Sequence, residues 1–281
     1  MAFVKPFKAV RATGDKVAQV SSKAHAVYTP EMLSSKLARN PYSFLHVTTP
    51  AYIDPKKERS EKERFKLVQK QYADFKEQKI FTQDKIPAFY IYKKTTASKS
   101  FCGIIAASAV EDCLNNTIKK HEGTLKQREL LFENYLHNTG FTSEPVLLSY
   151  PDNAKITGIL EKYSEYKANY EFTTANEDMH VLWVVTDASD IKKITSAFEE
   201  IDTLYIADGH HRSSASCLLA ERLKKENAKH TGTEAYNFFM SYLVAESTLS
   251  IYEFNRFVKD LNGLSPQEFL DALKPYFTIK N

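Results

Sequence analysis

Thr203-Leu-Tyr-Ile-Ala-Asp-Gly-His-His-Arg-Ser-Ser-Ala-Ser216 decides the reading of this chain. Residues 203–207 are a short apolar run bounded by Asp202 and Asp208, the pattern of a buried strand. Gly209 permits a tight turn, and the amphipathic run from about Ser213 to Leu223 begins a helix. At such a strand-to-helix junction the first helical amides have no partner within the helix, and the positive end of the helix dipole points the same way. Arg212, His210 and His211 add charge and directed donors, so the corner is a phosphate cradle built without a glycine-rich loop. Asp208, at the carboxyl end of the strand, is placed either to cap the turn or to hold a magnesium ion through one carboxylate. Two other readings stay open. Asp-Gly is a common structural turn, and histidines with an aspartate are sensible zinc or iron ligands, although neighbouring histidines on a helix project about 100° apart and poorly share one ion.

Outward from this junction, helix and strand signals alternate, which predicts an α/β (α+β) fold with a mixed sheet flanked by helices. Thr29-Pro30-Glu31 supplies a cap, a proline at the first helical position and a first-turn carboxylate, opening a helix to about residue 39. Residues 44–47 read as a strand, and residues 56–79 as an amphipathic helix with Phe65, Val68, Tyr72 and Phe75 on its narrow apolar face. Residues 88–92 and 101–105 form a hairpin pattern around a polar tip. Residues 111–121 and 126–137 read as helices, 145–150 and 180–186 as strands, and 154–163 and 190–200 as helices. Residues 238–245 make another apolar run. Ser265-Pro266-Gln267-Glu268 is a capping box opening a helix to about residue 274, and residues 277–281 look strand-like. Residues 1–235 are expected to be the core, and 236–281 the start of a C-terminal part cut short by the end of the sequence.

Composition narrows the chemistry. The 281 residues carry 38 Lys and Arg against 35 Asp and Glu, a net +3, so charge alone indicates neither a nucleic-acid nor an anionic-membrane partner. There are only eight glycines and no two are neighbours in the chain, which excludes a dinucleotide fingerprint, a P-loop and a kinase-type glycine-rich loop. Cys102, Cys113 and Cys217 are an odd, widely spaced set without a CxxC, the usage of a reducing compartment. No stretch approaches the roughly 18 apolar residues of a membrane span, and the N-terminus lacks the continuous apolar core of a signal peptide. A cytoplasmic location is therefore expected.

A second candidate cluster is Lys119-Lys120-His121-Glu122-Gly123-Thr124. It begins like a zincin HExxH but carries Leu125 where the second histidine is required. Glu122 is able to accept a hydroxyl proton if aimed into a cleft. The alternative is a solvated helix end with Gly123 as its C-cap.

At Ile206-Ala-Asp-Gly-His-His-Arg212 the chain resembles the bacterial domain-of-unknown-function family ten-fifteen. The likeness continues through Lys5-Pro-Phe-Lys-Ala9, Asn40-Pro-Tyr-Ser-Phe-Leu-His-Val47, Ile118-Lys-Lys-His-Glu-Gly-Thr124, Pro145-Val146 and Leu182-Trp183. One departure is the loop Ser22-Lys-Ala-His-Ala-Val-Tyr28, where the family often has Pro-Pro-Tyr-Asp. More distantly, the strand, Asp-Gly-His-His-Arg and helix arrangement is similar to the phosphate-binding box of the ParB and sulfiredoxin superfamily, implying a core of that kind with large insertions. Sulfiredoxins need a cysteine where this chain has His210, and ParB-type proteins add a helix-turn-helix not evident here. The serine-kinase branch is the best match.

That resemblance implies ATP- or ADP-dependent phosphoryl transfer to a small hydroxylated metabolite, with free serine the first acceptor considered. It further implies that Asp208 organises Mg²⁺ while Gly209, His210, His211 and Arg212 hold phosphates, His210 also taking part in the chemistry. Glu122 is then the base, supported by His121 and Thr124. Two other functions fit the same cradle: a non-catalytic nucleotide-binding switch, and a small-molecule phosphatase, the latter without a nucleophilic cysteine or Asp-x-Asp motif.

Overall fold

The computed structural model of the chain describes residues 1–50, 58–174, 176–253 and 255–280. Two short strands, β1 (Val4–Lys5) and β2 (Val10–Ala12), precede the helices α1 (Val17–Val20), α2 (Pro30–Arg39), α3 (Leu45–Thr48) and α4 (Glu61–Glu77). The strand β3 (Phe81–Gln83) leads into a hairpin of β4 (Phe89–Thr95) and β5 (Ser100–Ala109). After α5 (Val110–Leu114) and β6 (Ile118–Lys119) come α6 (Lys126–Thr139), β7 (Val146–Tyr150) and α7 (Ala154–Ser164). The antiparallel pair β8 (Tyr170–Thr173) and β9 (Met179–Val185) is followed by α8 (Ala188–Glu199), β10 (Leu204–Asp208), α9 (His210–Glu226) and β11 (Phe238–Ala245). A last helix, α10 (Pro266–Leu273), stands beyond the sheet in the sequence.

Among the described residues nine strands form one mixed sheet in the order β6-β10-β7-β11-β5-β4-β9-β8, with β1 beside the end of β5. Pairs β6/β10 and β7/β11 are parallel and the other neighbours antiparallel, so the fold is of the mixed α/β class. Strand side chains alternate between faces. Phe89, Ile91, Ile104, Ala106, Val181 and Trp183 point into the main core, where Ile156, Ile194, Phe198 and Cys217 of α7, α8 and α9 join them. A smaller core of Val47, Phe75, Ile80 and Phe81 gathers Val10, Phe44, Tyr72 and Phe141 away from it.

Several expected elements form for the expected reasons. The Thr29 side chain accepts from the Met32 amide with Pro30 at the first helical position of α2. Capping boxes open α4 at Ser60/Glu63 and α10 at Ser265/Glu268. Residues 56 and 57 of the expected 56–79 helix lie outside the described residues, and the helix itself runs from Glu61 to Glu77.

Four expectations are corrected. Residues 44–47 are helical in α3, not a strand, because Leu45 and Val47 alternate for a different reason. One packs with Leu33 and Leu37, the other with Phe75 and Phe81, on either side of a single turn. The expected helix 111–121 stops at Leu114, where Asn116 has φ +66°, and Ile118–Lys119 instead pairs in the sheet. Residues 277–280 are not a strand. The division into compact units falls between Leu249 and Ser250 rather than at 235/236, because β11 lies inside the sheet between β7 and β5.

Gly103 on β5 has a specific purpose. A Cβ there would lie 2.3 Å from the Leu243 carbonyl oxygen and 2.9 Å from the Tyr242 ring, so the close approach of β5 to β11 depends on its absence. Gly103→Ala is expected to destabilise the protein by about 1–3 kcal/mol, the usual cost of overpacking. Urea denaturation against wild type measures it.

Candidate functional site

Gly209 converts strand to helix in one residue. Its φ of +95° is left-handed, and a Cβ there would sit 3.1 Å from the Arg212 guanidinium, so both backbone and space call for glycine. The helix α9 therefore begins at His210, three residues earlier than the amphipathic pattern indicated. No side chain caps its N-terminus. The first helical hydrogen bond runs from the Ser213 amide to the Gly209 carbonyl at 3.0 Å, so the amides of His210, His211 and Arg212 precede the helical ladder.

The five residues of the turn have separate fates. Asp208 is exposed and accepts from Arg212 Nη2 at 2.6 Å. Arg212 Nη1 donates to the Pro145 carbonyl, and Glu144 Oε2 lies 3.8 Å away. Cation and carboxylate thus bridge the turn to the start of β7. His210 is 96% buried, the complement of its 4% exposure. Its Nε2, like Nδ1 of His211, is a buried nitrogen with no hydrogen-bond partner among the described residues. Each such group typically costs about 1–3 kcal/mol, so two at one uncapped helix end call for an explanation.

Parallel pairing explains what meets this corner. Leu204 and Tyr205 of β10 pair in parallel with Ile118 and Lys119 of β6, so the segments following both strands emerge at the same end of the sheet. That brings Glu122 Oε2 to 3.5 Å from His210 Nδ1, and places the His121 ring edge-on to His210 with centroids 4.4 Å apart. Glu122 itself remains 63% exposed and so open to a substrate. Thr124, expected to support Glu122, donates instead to Glu129. The structure therefore joins His121, Glu122, His210 and the turn, and leaves Thr124 facing a different carboxylate.

Burial is the largest influence on His210 and lowers its pKa; His121 adds to this, while Glu122 and Asp208 oppose it. The ring is thus favoured as neutral imidazole. With its proton on Nδ1 toward Glu122, Nε2 carries the lone pair. Asp208 meets Arg212 through Oδ2, and its carboxylate is the one in the turn that could hold a divalent cation. Among the described residues no group of three or more His, Cys, Asp or Glu is arranged to hold a metal ion by protein ligands alone.

Sequence reasoning did not foresee the Asp208–Arg212 bridge or the Pro145 carbonyl. The i, i+4 spacing of the two charges was the available signal. Nor did it foresee that Arg212 and Ser216 also border a cavity of about 600 Å³, lined chiefly by apolar residues such as Phe65 and Leu131.

The mixed sheet flanked by helices defines a protein of the mixed α/β class, with an uncapped, imidazole-bearing helix end after β10. The chain belongs to the family described as protein of unknown function (DUF1015), whose model matches residues 4–281. No curated protein and no solved structure matches it. Among the described residues no helix is long and apolar enough to cross a membrane.

The lowered His210 pKa has a measurable consequence. The unfolded chain, with an ordinary histidine pKa of about 6.5, binds the proton more readily than the folded one. Stability from this group is present above that value and declines as pH falls through it. Urea midpoints measured from pH 7.5 to 5.5 are expected to fall, and His210→Gln to flatten part of that decline. His180, also lowered by burial, accounts for another part. An unchanged slope in His210→Gln would contradict the assignment.

Proposed function

We propose that the protein transfers a phosphoryl group from ATP or ADP to a small hydroxylated metabolite, with free serine as the first acceptor to test. The reading rests on one observation above all: at an uncapped helix N-terminus, His210 Nε2 and His211 Nδ1 are buried without a partner among the described residues, and the other ring nitrogen of His210, Nδ1, lies 3.5 Å from the exposed Glu122 carboxylate. Remote similarity to the ParB and sulfiredoxin superfamily, its free-serine kinase branch in particular, points the same way.

In this reading the amides of His210, His211 and Arg212, together with the imidazole of His210 once it takes up a proton as the anion binds, hold phosphate oxygens, and Gly209 lets the backbone approach them. Arg212 neutralises charge on the leaving nucleotide. Mg²⁺, held by Asp208 together with the phosphates, supplies further neutralisation when bound. Glu122 accepts the proton of the acceptor hydroxyl as its oxygen forms the new bond to phosphorus and the bond from phosphorus to the leaving diphosphate or monophosphate breaks. The reaction needs chiefly positioning and charge compensation, which suits a site without a covalent nucleophile. The Asp208–Arg212 pair has to loosen for each to meet its ligand, so nucleotide and Mg²⁺ are expected to bind cooperatively.

A thermal-shift screen of nucleotides with Mg²⁺, followed by a phosphotransfer assay on serine and related hydroxy-metabolites, tests this. Glu122→Gln is expected to lower turnover by about a hundredfold or more, the usual scale for loss of a general base, with nucleotide affinity kept. Arg212→Ala is expected to lose nucleotide binding, with circular dichroism checking that the turn survives loss of the Pro145 contact. Affinity is expected to rise as pH falls from 7.5 toward 6, since a bound anion favours protonated His210. Full activity in Glu122→Gln would remove that residue as base. Nucleotide binding without transfer would make the protein a switch, and phosphate release from an ester without nucleotide would make it a phosphatase.

A further inference from the structure

Far from Glu122 in sequence, the opening Lys5-Pro-Phe-Lys-Ala9 segment borders a cavity of about 920 Å³. It lies between Tyr90, Ile105 and Leu182 of the sheet and Val10, Tyr72 and Phe81 of the smaller core. Its size falls within the range of roughly 300–1,000 Å³ that holds small organic molecules.

The charges around it are of one sign. Lys5, Lys8 and Arg11 line the cavity, and among the described residues no carboxylate does. Arg11 is neutralised from behind by Asp84, with contacts of 2.6 and 2.9 Å. Among the described residues neither Lys5 nor Lys8 has a carboxylate partner. The Lys5 ammonium instead rests 3.2 Å from the centroid of the Phe238 ring. Lys5 is held there because β1 pairs with β5, Lys5 opposite Ala107. Burial lowers its pKa, the mark of a cation that has lost hydration without gaining an acid. Two amines without a carboxylate partner among the described residues, on a mostly apolar wall, are complementary to one kind of ligand.

We propose that this cavity is a ligand site for an organic anion, its acidic head between Lys5 and Lys8 and its apolar body on the sheet face. The inference is independent of the phosphoryl-transfer reading, since it uses no residue of the 208–212 turn. Carboxylate and phosphate heads share the required chemistry.

The test uses the full chain and two fluorescent probes of similar shape, the sulfonate 1-anilinonaphthalene-8-sulfonate and the uncharged N-phenyl-1-naphthylamine. Wild type is expected to bind the sulfonate saturably with one site. The Lys5→Met, Lys8→Gln double variant is expected to weaken the sulfonate by about tenfold, the equivalent of about 1.4 kcal/mol, and to leave the uncharged probe within about twofold. Ala235→Trp, at an exposed position lining the cavity, is expected to weaken both. Octanoate and octyl phosphate then compete for the site, and the stronger competitor identifies the preferred head group. Should the double variant misfold by circular dichroism, Lys8→Gln alone carries the comparison, because Lys8 is exposed and a loss of about threefold for the sulfonate only is still expected. Equal affinity of the sulfonate in wild type and the lysine variants, equal loss of both probes in them, retention of both in Ala235→Trp, or displacement by neither competitor overturns the proposal.

Discussion

The left-handed backbone of Gly209 is the constraint on which the candidate site depends. It lets β10 end at Asp208 and α9 begin at His210 with this one residue between them, so helical amides, two imidazoles and the strand-end carboxylate are collected within five residues. A side chain at 209 would strain the backbone and press on the Arg212 guanidinium. Arg212 in turn ties the turn to β7 through Pro145 and closes back on Asp208. Turn, ion pair and strand end therefore stand or fall together.

A second constraint is topological. Because β6 and β10 run in parallel, the segments leaving them share one end of the sheet, and Glu122 reaches His210 although 88 positions separate them in the sequence. The resulting pair is unequal. His210 is buried and drawn toward neutrality, whereas Glu122 is largely in solvent. The orphaned Nε2 carries a lone pair while the ring is neutral and becomes a hydrogen-bond donor only when the ring is protonated. The same observation leaves Thr124 outside the group, since its hydroxyl is taken by Glu129.

The sheet also separates two environments. One face closes over a continuous apolar core, and the other leaves the larger cavity between sheet and smaller core. Membership in the DUF1015 family covers residues 4–281 and so embraces both the turn and the lysine-lined segment. The chemistry at the two places differs. The turn combines a cation with carboxylates and imidazoles, while the cavity has amines and apolar walls.

Read by itself, the amino-acid order determined the local features whose causes are local. These include the caps at Thr29 and Ser265, the hairpin around residues 96–99, the strand before Asp208 and the helix after Gly209. It also singled out the turn and Glu122, because their residue types are chemically distinctive. It misread Leu45 and Val47, where alternation reflected two separate cores, and residues 115–119, where sheet pairing prevailed over helix propensity. Only the tertiary structure decided that Glu122 meets His210, that Arg212 is held by Asp208 and Pro145, and that Lys5 stands in a cavity without an acid. Each depends on strand order and on what burial removes from water, and neither quantity is carried by a stretch of chain taken alone.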